Sequence, residues 1–208
     1  MIDPHRFYLF LVAAFLLSIS PGPGMLYVLA RTLHGGRAEG LASTLGTAVG
    51  GLVHVLAATL GLSAILMSSA LAYGILKYAG AAYLVFLGCK TILASRQPLE
   101  LAAAPAAASG NPFRQGILTE ALNPKTAVFF FTFLPQFVNP VGPVAWQFFL
   151  LGCISVTMNS LADLAVAYFS APLARSLATN PRLRRTQQGF CGSALIGLGA
   201  YVAVSGEK

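Results

Sequence analysis

Charge is what this sequence has least of. Only 9% of its 208 residues are charged, 13 Lys or Arg against 6 Asp or Glu, where a soluble domain carries about a quarter. With 56% of residues hydrophobic and a mean hydropathy of +0.73, that scarcity excludes an ordinary water-soluble fold. One core of this length would leave much apolar surface facing water, at about 25 cal/mol per Å². Cysteine is scarce too. Cys89, Cys153 and Cys191 lie far apart, with no CxxC and no Cys/His spacing, which excludes a disulfide framework and a zinc site. Neither HExxH nor GxSxG occurs, so the common motifs of an intramembrane enzyme are missing. His54, Glu120 and Asp163 are too sparse for a metal site, and no cofactor is expected.

What the chain does have is apolar runs of the length that crosses a bilayer, about 20 residues each. They fall near Phe7 to Ala30, Leu41 to Leu62, Ala70 to Leu93, Phe113 to Phe137, Pro143 to Pro172 and Gln188 to Val204. The fold class expected is therefore an all-α integral membrane protein with six transmembrane helices. Phe7 to Leu17 is read as part of the first span rather than a signal peptide, because Asp3 precedes it and Pro21-Gly22-Pro23 interrupts it. The stretch from Leu41 to Ala94 is nearly continuous and would reach about 80 Å as one helix, so it must turn back, at Ser68-Ser69 to Gly74.

The charges set a direction. Arg31 and Arg37 follow the first run, Lys90, Arg96 and Arg114 the third, and Arg175, Arg182, Arg184 and Arg185 the fifth. By the positive-inside rule these loops are cytoplasmic and both termini face outward. A net charge of +7 then reads as contact with anionic lipid headgroups, with no nucleic-acid partner. Residues 97–111, with Pro98, Pro105 and a run of Ala ending in Ser109, lack an apolar period and read as a cytoplasmic linker. They separate residues 1–96 from 112–208, three spans each. Two odd-numbered halves must enter the membrane in opposite directions, giving two inverted three-helix repeats, a common plan for small transporters.

The first and fourth runs, counterparts in that plan, are both interrupted: by Ser20-Pro21-Gly22-Pro23-Gly24 and by Asn123-Pro124-Lys125. Proline removes a backbone donor and glycine loosens the chain, so both segments should unwind, which hydrocarbon tolerates only beside a cavity. The half-helix that follows such a break offers free amides to an anion. Both interruptions are candidate substrate-binding segments, and Lys125 is the foremost residue, since an ammonium in mid-membrane needs a partner or a use.

The sequence also resembles the LysE/RhtB family of amino-acid exporters over nearly its full length. The resemblance rests on SPGPG at 20–24, GGRAEGL and GTAVGG within 35–51, LKYAGAAYLVFLG at 76–88, FRQGILTEALNPK at 113–125 and FFFTFLPQF at 129–137. It implies six helices and efflux of amino acids or close analogues across the bacterial cytoplasmic (inner) membrane, linked to the proton gradient. Distant relatives of that superfamily imply a metal ion or another small solute as the alternative cargo.

Other residues carry narrower expectations. Asp163, with Asn159 one turn earlier on the same helix face, is a proton carrier or a static partner of Lys125. Glu120 departs from the small or neutral polar residue usual in the family, and is a mark of a cationic substrate preference, a proton-coupling group or a charge partner of Lys125. His54 is read as a hydrogen-bonding packing residue rather than a proton relay, Lys77 as snorkelling, Trp146 as an interfacial anchor, and the Phe129–Phe131 run with Phe133 and Phe137 as lipid-facing and core packing rather than a recognition cage. Gly46 and Gly50 form a GxxxG spacing that packs helices within one subunit or between subunits of a homo-oligomer.

Overall fold

A computed structural model describes residues 4–64, 70–94, 110–179 and 181–204. All of their regular structure is helical: α1 (Pro4–Ile19), α2 (Pro23–Ala57), α3 (Ala70–Ala94), α4 (Pro112–Ala121), α5 (Pro124–Val128), α6 (Val144–Thr179) and α7 (Pro181–Val204). A widened turn, Ala58–Leu62, continues α2; another, Phe129–Phe133, continues α5 and tightens into a 3₁₀ turn at Leu134–Phe137. Nearly all of the expected linker lies outside the described residues, as do residues 65–69, where the chain was expected to turn back. Gly74 itself is inside α3.

Large apolar side chains lie on the outer surface as well as in the core, and polar ones are buried beside that core. Leu45, Leu52, Leu56, Leu60, Leu71, Ile75, Phe86, Leu161 and Phe190 are exposed, while Ser18, Thr47, His54, Glu120, Asn123, Lys125 and Asp163 are buried. Water would penalise that arrangement; a bilayer requires it, because apolar groups face lipid and polar groups must find partners inside. Two described helical stretches, Pro23–Leu62 and Val144–Phe169, are long and apolar enough to cross a membrane, and Arg6–Ile19 and Tyr78–Leu93 are shorter apolar helices. That is fewer than the six spans read from apolar runs, partly because the breaks divide those runs.

The expected loop after the first run is a one-residue corner. Gly36 has φ 76° and ψ −172°, a conformation open essentially to glycine alone. Arg31 pairs with Glu39 at 3.2 Å across it, although an unbroken helix would hold residues eight apart about 12 Å from each other. So α2 is a hairpin of two helical arms. Its second arm packs on α4, where Gly46 and Gly50 let the Phe113 and Ile117 carbonyls and Gly116 approach backbone to backbone. The GxxxG spacing thus serves a contact within one chain. The same arm packs on α6, with Gly51 against Val156 and Val55 against Gly152. Helices α3 and α7 cross at Gly88 and Gly192, each of which would drive a Cβ into the other's backbone carbonyl. At 36 residues α6 would measure about 54 Å, more than the roughly 30 Å hydrocarbon layer, and it kinks at Phe169 (φ −106°, ψ 15°).

Phe129, Phe130, Phe133 and Phe137 are buried, not lipid-facing, with Phe133 and Phe137 edge to face at 4.8 Å and Phe10 of α1 packed on Phe137. Trp146 is exposed at the start of α6, as an interfacial anchor would be. The Lys77 side chain lies outside the described ones.

Candidate functional site

Both interruptions unwind, and they meet. The first run stops at Ile19, because proline at 21 disfavours helical geometry at Ser20 and supplies no amide. It restarts at Pro23, where the missing N–H costs nothing. The fourth run stops at Ala121 and restarts at Pro124, with Asn123 as N-cap: its Oδ1 accepts from the Lys125 amide at 3.0 Å.

Lys125 bridges the two breaks. Its ammonium donates to the carbonyls of Leu17 and Ser20, each at 2.6 Å, at the C-terminal end of α1, where carbonyls run short of intrahelical donors. The negative end of the α1 dipole adds to that attraction. Gly22, whose backbone is plainly extended, is small because a Cβ there would lie 2.9 Å from the Lys125 stem. No ion pair within 4 Å joins Lys125 to Glu120 or Asp163, the static alternative to a role in binding; the ion pair found among the described residues is Arg31–Glu39.

Glu120, 3% exposed, complements the other side of the first break. Its Oε1 accepts from the Thr126 hydroxyl at 2.6 Å and its Oε2 from Asn123 Nδ2 at 3.0 Å. A Cβ on Gly24 would collide with Oε2, so the carboxylate sits against the N-terminus of α2, where the dipole is positive. The Glu120 backbone carbonyl lies 3.0 Å from His54 Nε2; a carbonyl only accepts, so Nε2 carries the hydrogen. His54, expected as a hydrogen-bonding packing residue, caps the end of α4 while its ring stacks on Phe130 at 5.8 Å. Polarity in an apolar helix was the only signal for that role.

Between the breaks lies a cavity of about 600 Å³, counting the space at its mouth. Ser18, Ser20, Thr47, Glu120, Asn123, Lys125, Thr126, Asn159 and Ser160 form its polar wall, and Leu17, Met25, Phe129, Phe130 and Val156 its apolar one. Of the candidate residues, Ser20, Gly22, Gly24, Glu120, Asn123, Lys125 and Asn159 line it; Pro21, Pro23 and Pro124 shape the backbone around it. Asp163 stands behind the wall, its Oδ2 bonded to the Thr47 hydroxyl at 2.8 Å. Among the described residues no three His, Cys, Asp or Glu are grouped to hold a metal ion.

A second polar cluster ties α2 to the start of α4. Arg31, expected as an exposed loop charge, is buried: it bonds the Gln115 side chain, donates to the Gly110 carbonyl at 3.1 Å and lies 5.8 Å over the Tyr27 ring. Tyr27 donates to the Pro112 carbonyl at 2.7 Å.

Comparison with known proteins gives consistent results. Residues 15–206 match the family model described as LysE type translocator. The chain is 30% identical to the uncharacterized membrane protein YrhP of Bacillus subtilis, over 97% of this chain and 100% of that one. It is 29% identical to a homoserine/homoserine lactone efflux protein of Salmonella typhimurium (94% and 95% covered). With a leucine efflux protein of an Enterobacter species it shares 27% identity (95% of each). No solved structure matches it.

Proposed function

We propose that this chain, which belongs to the LysE type translocator family, exports small zwitterionic amino acids or close analogues across the bacterial cytoplasmic membrane, at the expense of the proton gradient. The observation that carries this reading is the meeting of the two breaks in one cavity through Lys125. An ammonium has three donors and a carboxylate about four acceptor sites. Lys125 has used two donors on backbone and Glu120 has accepted two bonds, so one donor and about two acceptor sites remain. A substrate carboxylate fits the first and a substrate ammonium the second. Leu17, Phe129, Phe130 and Val156 suit an uncharged side chain, in keeping with relatives named for homoserine and leucine efflux.

Six spans in two inverted repeats, 1–96 and 112–208, accompany this reading. Its support is that the broken runs are the first of each half, that α3 packs on α7, the third of each, and that the second arm of α2 packs on α6, the second of each. Rocking one half against the other would expose the cavity first to one side and then to the other.

The test is counterflow in proteoliposomes with a panel of labelled amino acids, without and then with an imposed pH gradient. Exchange of neutral amino acids, concentrated by the gradient, is the expected result; no exchange of any amino acid by folded protein in tight vesicles removes the proposal.

A further inference from the structure

We infer that Asp163 is the proton-binding group of the transport cycle and that the Thr47 hydroxyl connects it to the cavity. The inference rests on the export reading above and chooses between the two acids it left open. Asp163 is 1% exposed, its Oδ1 is fully buried and has no hydrogen-bond partner, and its Oδ2 lies 2.8 Å from Thr47 Oγ1. The ionised carboxylate therefore accepts a single hydrogen bond. The ionised Glu120 carboxylate, by contrast, accepts two, from Thr126 at Oε1 and from Asn123 at Oε2, so its charge is met by twice as many donors.

Thr47 makes both states of Asp163 workable. Its oxygen is 2.8 Å from Asp163 Oδ2 and 3.0 Å from the Thr44 carbonyl, yet a hydroxyl has one hydrogen. With Asp163 ionised, Thr47 donates to the carboxylate. With Oδ2 protonated, Asp163 donates to Thr47 and Thr47 turns its hydrogen to the Thr44 carbonyl. Thr47 also lines the cavity, so a proton passes from cavity water through that hydroxyl to a group with no contact to bulk solvent.

The surrounding charges are few. Glu120 on α4 and Lys125 on α5 act on Asp163 electrostatically. From α2 the packed face offers the Thr47 hydroxyl; His54, further along, is held by the Glu120 carbonyl, and Arg37 stacks over Tyr168 of α6 at 5.6 Å. On α7 the Cys191 thiol acts on Lys125. From α1 the cavity receives only Ala14, Leu17 and Ser18. A bound proton and the ammonium of a bound substrate therefore draw on the same small reserve of negative charge, so one leaves as the other arrives. That competition is what antiport needs: the substrate leaves the cell, and one proton taken up outside is released inside.

The experiment uses the full chain in lipid vesicles. Asp163→Asn, which imitates the protonated acid, should need more substrate to reach half-maximal counterflow yet still exchange it at saturation, while its pH-driven accumulation falls at least about tenfold, as neutralising an intramembrane relay acid should. Independently, an infrared pH titration of the wild type should show the C=O band of a protonated carboxyl that Asp163→Asn lacks and Glu120→Gln keeps. If the Asn variant does not fold, Asp163→Glu should keep pH-driven accumulation and move the band. A band that survives Asp163→Asn, disappears in Glu120→Gln or does not move in Asp163→Glu overturns the assignment, as does normal pH-driven accumulation by Asp163→Asn. Absence of counterflow in the wild type would sink the export reading and leave the infrared result to judge Asp163 alone.

Discussion

Lys125 occupies a position where hydrocarbon penalises charge by several kcal/mol, and the two carbonyls it reaches at 2.6 Å offset that cost. Charge-assisted bonds of this kind contribute about 1.5–3 kcal/mol each. Lys125→Met keeps the stem and removes the ammonium, so thermal unfolding in detergent should show a loss of about 3 kcal/mol together with loss of counterflow. A melting curve like the wild type's would mean the carbonyls find other partners. Gly24 gives a sharper separation of fold from function. A Cβ there meets the Glu120 carboxylate, held by Asn123 and Thr126, so Gly24→Ala should weaken substrate binding about tenfold by displacing that acceptor. Gly197→Ala on α7 meets nothing within 4 Å and should stabilise by about 0.4–1 kcal/mol without touching transport. At this scale the sequence exposed Lys125 and the prolines, because a charge and a missing amide in apolar runs each demand an explanation. The link from Thr47 to Asp163 was illegible, because 116 residues separate the two and only the packing of α2 on α6 brings them together.

Helix boundaries followed backbone chemistry more closely than hydropathy. The apolar run from Phe7 to Ala30 is two helices, since Ser20-Pro21-Gly22 cannot continue one, whereas the expected loop around Arg31 to Arg37 shrinks to a single corner at Gly36. Its dihedrals put strain on any residue with a Cβ. Gly36→Ala should cost about 1–3 kcal/mol although no atom lies within 4 Å of the added methyl; chemical denaturation would read this, and no change would show that the hairpin relaxes freely. Between α3 and α7 the constraint is space instead. Gly192→Leu should force the helices apart at Gly88 and lower thermal stability by about 1–3 kcal/mol, the usual result of overpacking. That Gly88 and Gly192 mark a crossing was not legible in the sequence, because which helices meet is a property of tertiary packing.

For the whole molecule, an exposed apolar surface together with buried polar groups matches what composition implied, while direction and repeat symmetry rest on the placement of arginines and on which helices pair. In a variant without Cys89, Cys153 and Cys191, a cysteine at exposed Val141 should react with an impermeant thiol reagent added outside intact cells, and one at exposed His34 should not. The reverse pattern would invert the orientation. The central claim is that an amino acid occupies the cavity between the two breaks, and the most direct measurement is protection of its wall. Ser160→Cys in the same cysteine-free background, reconstituted and treated with a small thiol reagent, should react several-fold more slowly when saturated with an amino acid that supports counterflow. An unchanged labelling rate at saturation would contradict the account.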